Sequence, residues 1–326
     1  MAPLPLTLAT RDYDYVQPLA LRDVVPDGIE LTVIRAFDAL ERFLMEPDID
    51  AGEISFSQYL RRVAAGDHSF VGLPAFVMRE FRHRCLFVRR GSGLSNVTQL
   101  AGRRVGVDAW AATGNVWTRA ILREAGVSLD GVRWIVGAVN LEDRPVSSEG
   151  LPSHVGVAPR GRALGEMVAA GDLDAMMAPW PPTGFGAPDS PLARLYIDYR
   201  AAEREYYRRT RIFPGHHIVV VRRALVDKHP WIVQSVYDTL VRARARSDAN
   251  HRVLHESSPW ILADLEEQSA LMGGGFQPYG YRDPENRAMV AAFCSEQFAQ
   301  GLIPKPLDPD VLFADFLHLT PSRPSG

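Results

Sequence analysis

A few clustered histidines, arginines and carboxylates in this chain have the types and spacing for proton transfer to and from an organic acid. Arg79, Phe81, Arg82 and His83 form a basic cluster just before the apolar run Cys85–Val88. An imidazole moves protons near neutral pH, and a guanidinium can clamp a carboxylate through two parallel bonds. Extended alternation would set Arg79, Phe81 and His83 on one side and Arg82 on the other. The plainer alternative is a solvated basic loop with a core histidine. His216 and His217 precede a second apolar run, Ile218–Val221, and hinge or surface packing is the plainer role for His216. Asp12, Asp14 and Glu53 are carboxylates at predicted strand ends, where ligand sites of α/β proteins gather; Asp14 reads as a turn cap. Ser55 and Ser57 stand at a predicted helix N-terminus, and Thr113-Gly114-Asn115 opens another. Free amides and the helix dipole favour a carboxylate there, although simple capping explains the same residues. His83, His217 and Glu53 could converge as two imidazoles and a carboxylate around a divalent metal. No His-x-x-x-His or Cys-x-x-Cys spacing supports that, and a metal stays open.

The elements that must position these residues alternate. Leu4–Thr10, Leu31–Ile34, Ile49–Ile54, Phe70–Phe76, Cys85–Val88, Arg103–Val107, Val132–Val136, Leu173–Ala178 and Ile218–Val221 read as strands. Ala36–Met45, the segment opened by Ser55, Asn115–Glu124 and Gly161–Ala170 read as helices, and the C-terminal third is helical over Trp231–Arg246, Pro259–Met272 and Glu285–Gln300. Strands spaced by helices predict α/β architecture with mainly parallel sheets flanked by helices. The two Arg-flanked strands, Cys85-Leu-Phe-Val-Arg-Arg and Ile218-Val-Val-Val-Arg-Arg, bracket an α/β set of about 130 residues. That predicts a lobe of residues 89–218 inserted into a lobe made of 1–88 and 219–326, with a ligand cleft between lobes.

Composition limits the functions on offer. The chain has 326 residues, 46% hydrophobic and 23% charged, with a net charge of −3. This is the balance of an ordinary soluble protein, and it disfavours non-specific nucleic-acid or anionic-membrane binding. No apolar run reaches the roughly 18 residues of a membrane span, and the first residues carry no signal-peptide pattern, so a cytoplasmic protein is expected. The two cysteines, Cys85 and Cys294, cannot build a disulfide scaffold. The only lysines are Lys228 and Lys305, in a helix-start context and between prolines, which disfavours imine chemistry. The remaining basic residues are arginines, whose planar forks suit carboxylates.

Two-strand crossing, with Leu100-Ala-Gly-Arg-Arg-Val-Gly-Val and Gly171-Asp-Leu-Asp-Ala-Met-Met in the inserted segment, resembles the type II periplasmic-binding-protein fold. A narrower resemblance lies in five motifs taken in order: Asp12-Tyr-Asp, Glu53-Ile-Ser-Phe-Ser-Gln-Tyr-Leu, Phe81-Arg-His, Tyr206-Tyr-Arg-Arg-Thr-Arg-Ile-Phe-Pro-Gly-His-His and Leu271-Met-Gly-Gly-Gly-Phe-Gln-Pro-Tyr-Gly. Together, over nearly the whole chain, they resemble the 4,5-dihydroxyphthalate decarboxylase family. The resemblance favours Arg82 and His83 over Arg79, and His217 over His216. It implies a cofactor-independent decarboxylase of a hydroxylated aromatic or similarly unsaturated carboxylic acid. In that reading His83 and His217 handle protons, Arg82 clamps carboxylate, Asp12 and Glu53 orient a histidine or the hydroxyl, and Ser55, Ser57 and Thr113 bind ligand. Two departures bear on the substrate: Arg11 stands where the family usually has Gly, and Trp180-Pro-Pro stands where it usually has Arg-Pro-Pro. Trp180 can stack on a flat ligand but cannot neutralise a carboxylate, and Arg11 either supplies the missing charge or pairs with Asp12 or Asp14. The competing readings are a non-enzymatic binding protein for a small acid and a lyase or dehydratase on the same fold. The expected partner is the small acid itself, and a homo-oligomer stays open.

Overall fold

The computed structural model describes residues 2–144, 146, 150–273 and 279–320. Among these residues the strands are β1 (Leu4–Thr10), β2 (Ile29–Arg35), β3 (Ala51–Ser55), β4 (Phe70–Arg79), β5 (Leu86–Arg89), β6 (Arg104–Val107), β7 (Arg133–Val136), β8 (Gly156–Val157), β9 (Ala175–Met177), β10 (Leu192–Arg194) and β11 (Gly215–Arg222). The chain divides into two compact units, one of residues 1–79, 215–298 and 303–326, the other of 80–214 and 299–302.

The first unit is built on a five-stranded sheet in the order β2-β1-β3-β11-β4. β1 pairs in parallel with β2 and β3, whereas β11 runs antiparallel between β3 and β4. β3 lies close over the helix Ala39–Met45: a Cβ on Gly52 would stand 2.3 Å from the Phe43 ring, so only glycine fits there. Phe56, Phe76, Phe293 and Phe313 form an aromatic core, with the Phe56 and Phe293 rings stacked at 4.9 Å. β4 is irregular. Its residues Leu73 to Met78 run opposite only Val219 to His217 of β11, so β4 bulges, and Pro74 in the bulge accepts a hydrogen bond from the Gly280 amide at 2.9 Å. Proline is tolerated at such a bulge because no ladder bond is asked of its nitrogen.

The second unit carries a six-stranded sheet, β10-β5-β9-β6-β7-β8. β6 to β9 pair in parallel, while β5 runs antiparallel to β9 and β10. Apolar side chains fill both of its faces, with Val105, Val107, Leu122 and Trp134 on one and Phe87, Leu164, Met176 and Leu192 on the other. The helices Thr113–Glu124, Leu164–Ala170 and Tyr199–Thr210 belong to this unit.

Both sheets are mixed, because the strands that bring the chain into and out of the second unit's segment pair antiparallel to their neighbours. The division runs at 79/80 and 214/215, not at 88/89 and 218/219. Residues 80–88 fall in the second unit because β5 pairs with β9 and the Glu80 amide bonds to the Pro214 carbonyl. Residues 215–218 fall in the first because β11 begins at Gly215 and pairs with β3 and β4. The helix Tyr199–Thr210 and the short strand β10 lay outside the sequence expectation. No described helix is long and apolar enough to cross a membrane.

Candidate active site

In the first unit the sheet register gathers the chemistry around Glu53. β1 and β3 run parallel with Leu8 beside Ala51 and Ala9 beside Gly52, which brings Thr10 and Arg11 alongside Glu53. The Glu53 side chain is fully buried. Its Oε2 accepts from Thr10 Oγ1 at 3.0 Å and from the Arg11 amide at 2.8 Å. Its Oε1 accepts from the Tyr13 hydroxyl at 2.7 Å and lies 2.5 Å from His217 Nδ1. Burial alone would raise the carboxyl, but the bonds and charge of His217, the Arg11 amide and Tyr13 outweigh it and hold Glu53 below its ordinary value. Glu53 is therefore a carboxylate at neutral pH, and His217 Nδ1 must be the donor in their contact. That fixes the tautomer and leaves Nε2 as the ring nitrogen not engaged by Glu53. The His217 side chain is 13% exposed.

Strand geometry explains the pairing. His217 of β11 faces Ser55 of β3, and Val219 faces Glu53, so histidine and carboxylate are diagonal neighbours across one antiparallel pair. The bulge of β4 lies opposite this stretch of β11, a device that commonly re-aims side chains at active sites. Arg79 closes β4 across from Gly215. Its guanidinium bonds to the Asn286 side chain and lies 5.2 Å from the Phe76 ring centre. Burial pushes it down to about 10, with the neighbouring Arg244 charge adding to the shift.

The second unit holds the other predicted residues. After Arg79 the extended alternation stops, since His83–Cys85 form a turn of 3-10 helix. His83 therefore does not share a strand face with Arg79. It is buried between Tyr196 and Tyr206, each with its ring centre 5.4 Å away. Burial, helped by the Arg209 charge, pushes it down to about 4. Phe81 packs against Tyr206, Tyr207 and Phe213. Arg82 is almost wholly buried and donates to Glu80 Oε2 at 3.0 Å, while its Nε meets no described acceptor. It lies against the first turn of the Thr113–Glu124 helix, where a Cβ on Gly114 would come within 2.7 Å of its Cζ and Nη2. Thr113 is the first residue of that helix and is buried. Asp108, raised by burial despite the Arg82 charge, binds the Asn115 amide at 2.7 Å.

A scan against protein-family profiles finds no match. Among curated proteins, a 4,5-dihydroxyphthalate decarboxylase of Comamonas testosteroni is 32% identical over 325 residues, 96% of this chain and 97% of the relative. The chain belongs to the 4,5-dihydroxyphthalate decarboxylase family. A second relative of that name, from Pseudomonas putida, is 32% identical over 215 residues, 64% of this chain and 83% of its own. Membership makes the protein a carboxy-lyase by family. Solved structures show the fold: the periplasmic aliphatic sulphonate binding protein SsuA of Escherichia coli aligns with a TM-score of 0.53 at 15% identity, covering 95% of this chain and 99% of its own. A putative sulfonate-binding SsuA of Methylobacillus flagellatus aligns with a TM-score of 0.54 at 14% identity, covering 97% and 94%. The two-lobed type II periplasmic-binding-protein-like fold is thus shared with this decarboxylase family.

The family motifs contribute differently from their first reading. In Asp12-Tyr13-Asp14 the tyrosine, not an acid, reaches Glu53. Asp12 is 56% exposed and pairs with Arg35 at 2.9 Å, and Asp14 pairs with His251. Arg11 takes neither of its two expected partners; its guanidinium lies 5.0 Å from the Phe37 ring centre, and only its amide serves Glu53. Ser55 occupies the N-cap position without a side-chain capping bond and faces His217 across the sheet. Ser57 is buried and accepts from Gln297 Nε2 at 2.8 Å. Trp180 follows β9 and is 42% exposed, an indole still open to a flat ligand. His216 is buried, at a register irregularity of β11 between Gly215 and His217. The motif from Leu271 to Gly280 lies outside the described residues at 274–278; Tyr279 is buried near Arg244 and Arg79. Among the described residues no three His, Cys, Asp or Glu side chains gather as metal ligands.

The sequence reading missed Tyr13, although it lies inside a quoted motif, three residues past the end of β1. The flanking acids drew attention because carboxylates are commoner proton-handling groups. The available signal was that a strand-end tyrosine next to a turn can swing its hydroxyl back over the sheet.

Proposed function

We propose that this protein decarboxylates a hydroxylated aromatic acid of the phthalate type, without an organic cofactor. The observation that carries the proposal is the buried Glu53 carboxylate with His217 fixed on it. Direct loss of carbon dioxide from a benzoate would leave an aryl carbanion. A hydroxyl para to the departing carboxylate opens another course: a base takes the phenolic proton and an acid protonates the carboxyl-bearing ring carbon. The resulting dienone loses carbon dioxide, the electrons of the broken C–C bond restore the ring, and the phenol regains its proton. Net, one proton replaces one carbon dioxide.

In this reading His217 Nε2 moves the proton and Glu53 orients the ring and steadies its positive charge. His83 was the other expected proton carrier, but a group pushed down to about 4 stays uncharged at neutral pH and is a poor base, so it serves in packing or as a neutral donor. Arg82 is the carboxylate holder, supported by its unsatisfied Nε and its seat at a helix N-terminus. Thr113 joins it at the same helix start.

The test is carbon dioxide release from a panel of hydroxylated phthalates and para-hydroxybenzoates. Turnover of at least one para-hydroxy acid is expected, and His217→Ala should lower it at least about 100-fold with the fold intact. Tight binding with no carbon dioxide from any of them would overturn the enzyme reading in favour of a binding protein. Comparison of mono- with dicarboxylates in the panel reads the effect of Trp180 on substrate charge; a preference for one fewer carboxylate is expected.

A further inference from the structure

We infer that Tyr13 is a positioning residue: by sharing one Glu53 oxygen with His217, its phenol sets how strongly the carboxylate draws on the imidazole. The inference rests on the proton-handling role given above to Glu53 and His217.

The geometry separates the four partners of Glu53 into two pairs. Thr10 and the Arg11 amide occupy Oε2, while Tyr13 and His217 meet on Oε1. The two donors on Oε1 compete for the same electron density, so each weakens the other's bond. Tyr13 is a fixed donor. Its ring stacks on Tyr15 at 5.2 Å and 14°, its amide bonds to the Arg11 carbonyl at 3.0 Å, and its carbonyl accepts from the Val16 amide at 3.0 Å. Burial, with the Glu53 charge beside it, pushes the phenol far above its ordinary value, so it keeps its proton throughout the working range. The acids on either side turn away to Arg35 and His251, which leaves the hydroxyl as this motif's contribution to the site. Among the described residues Arg11, Tyr15, Tyr279 and Arg244 also act on this cluster, and Arg79, Asp248 and Asp283 act on those in turn. All of them survive a change at position 13.

Removal of the phenol concentrates the Oε1 charge on His217. The Nδ1 hydrogen bond tightens and positive charge on the ring is favoured, whichever direction the proton moves in turnover. Tyr13→Phe keeps the stacked ring and should shift the pH profile of kcat/KM upward by about half to one unit. It should change kcat at pH 7 about 3- to 10-fold with KM changed less than about twofold, and move the His217 Nδ1 proton resonance downfield. Tyr13→3-fluorotyrosine, a stronger donor of nearly the same shape, should move both readouts the opposite way. Tyr15→Phe should move neither. Unchanged profile and resonance in folded Tyr13→Phe, or shifts in the same direction for both substitutions, would overturn the inference. If His217→Ala left turnover intact, the proton-handling reading would fall, while the Nδ1 resonance would still report the effect of Tyr13 on the dyad.

Discussion

Glu53 keeps its charge inside a sheet because every acceptor position it offers is used. An ionised carboxylate in an apolar interior is costly unless donors surround it. Here a hydroxyl, an amide, a phenol and an imidazole do so. Those partners hold the folded-state carboxyl below its unfolded value, so the sign of its linkage is settled. The contribution is fully present above about pH 4.5, the unfolded value, and is lost as pH falls through the lower folded one. Thermal stability of the wild type should therefore fall in acid. Glu53→Gln should flatten that part of the slope and cost about 1–3 kcal/mol at pH 7, because an amide turns an acceptor into a donor facing Tyr13 or His217. A variant as stable as the wild type at pH 7, with an unchanged acid slope, would show that Glu53 is not the group responsible. His217 was legible in the sequence by its type and motif, but its tautomer was not. That required knowing which nitrogen meets an ionised oxygen.

At the scale of elements, the helix Thr113–Glu124 shows how a small residue makes room for a charged one. Gly114 stands in the first turn, where alanine would be the better helix former by about 1 kcal/mol. A Cβ there would come 2.7 Å from the Arg82 guanidinium, which is almost wholly buried and tied to Glu80. Overpacking of this kind costs about 1–3 kcal/mol, so crowding outweighs propensity. Gly114→Ala should lower stability by about 1 kcal/mol or more in urea unfolding and weaken substrate affinity, even though it improves the helix locally. A stabilised variant with normal KM would show that Arg82 yields freely and that its position is not set by this glycine. The helix itself was legible as Asn115–Glu124 from its apolar spacing, and it begins two residues earlier. The contact with Arg82 joins positions about thirty residues apart, and no local pattern records it.

At the scale of the whole molecule, the first unit is assembled from three stretches of chain, and its sheet depends on a strand that arrives late. β11 sits between β3 and β4, pairing with both, although some 135 residues separate it from β4. Fragments 1–150 and 151–326 should therefore fail to fold separately: the first would lack β11 and leave β3 and β4 as open edges. Residues 80–214 carry all six strands of the second sheet and should retain more structure alone. They should still fall short of the intact unit, because Gln300 bonds Arg119 and the Val116 carbonyl from outside that stretch. Circular dichroism and amide dispersion of the three fragments would decide this; a cooperatively folded 1–150 would refute it.

Strand and helix periodicity, the inserted segment and the motif set were fixed by local residue order, because the alternation of apolar side chains and the identity of turn residues are properties of short windows. They led to an α/β decarboxylase fold with Glu53, His217 and Arg82 in view. Only the tertiary structure decided which of the gathered side chains meet. Asp12 and Tyr13 are adjacent in sequence, yet one faces Arg35 at the surface and the other bonds a buried carboxylate forty residues away. His83 and His217 share a residue type, yet one is enclosed by tyrosine rings and the other held by an anion. The physical reason is that hydrogen bonding and desolvation depend on neighbours across the sheet. Those neighbours are set by the register of β1, β3 and β11, which no single segment of the chain encodes.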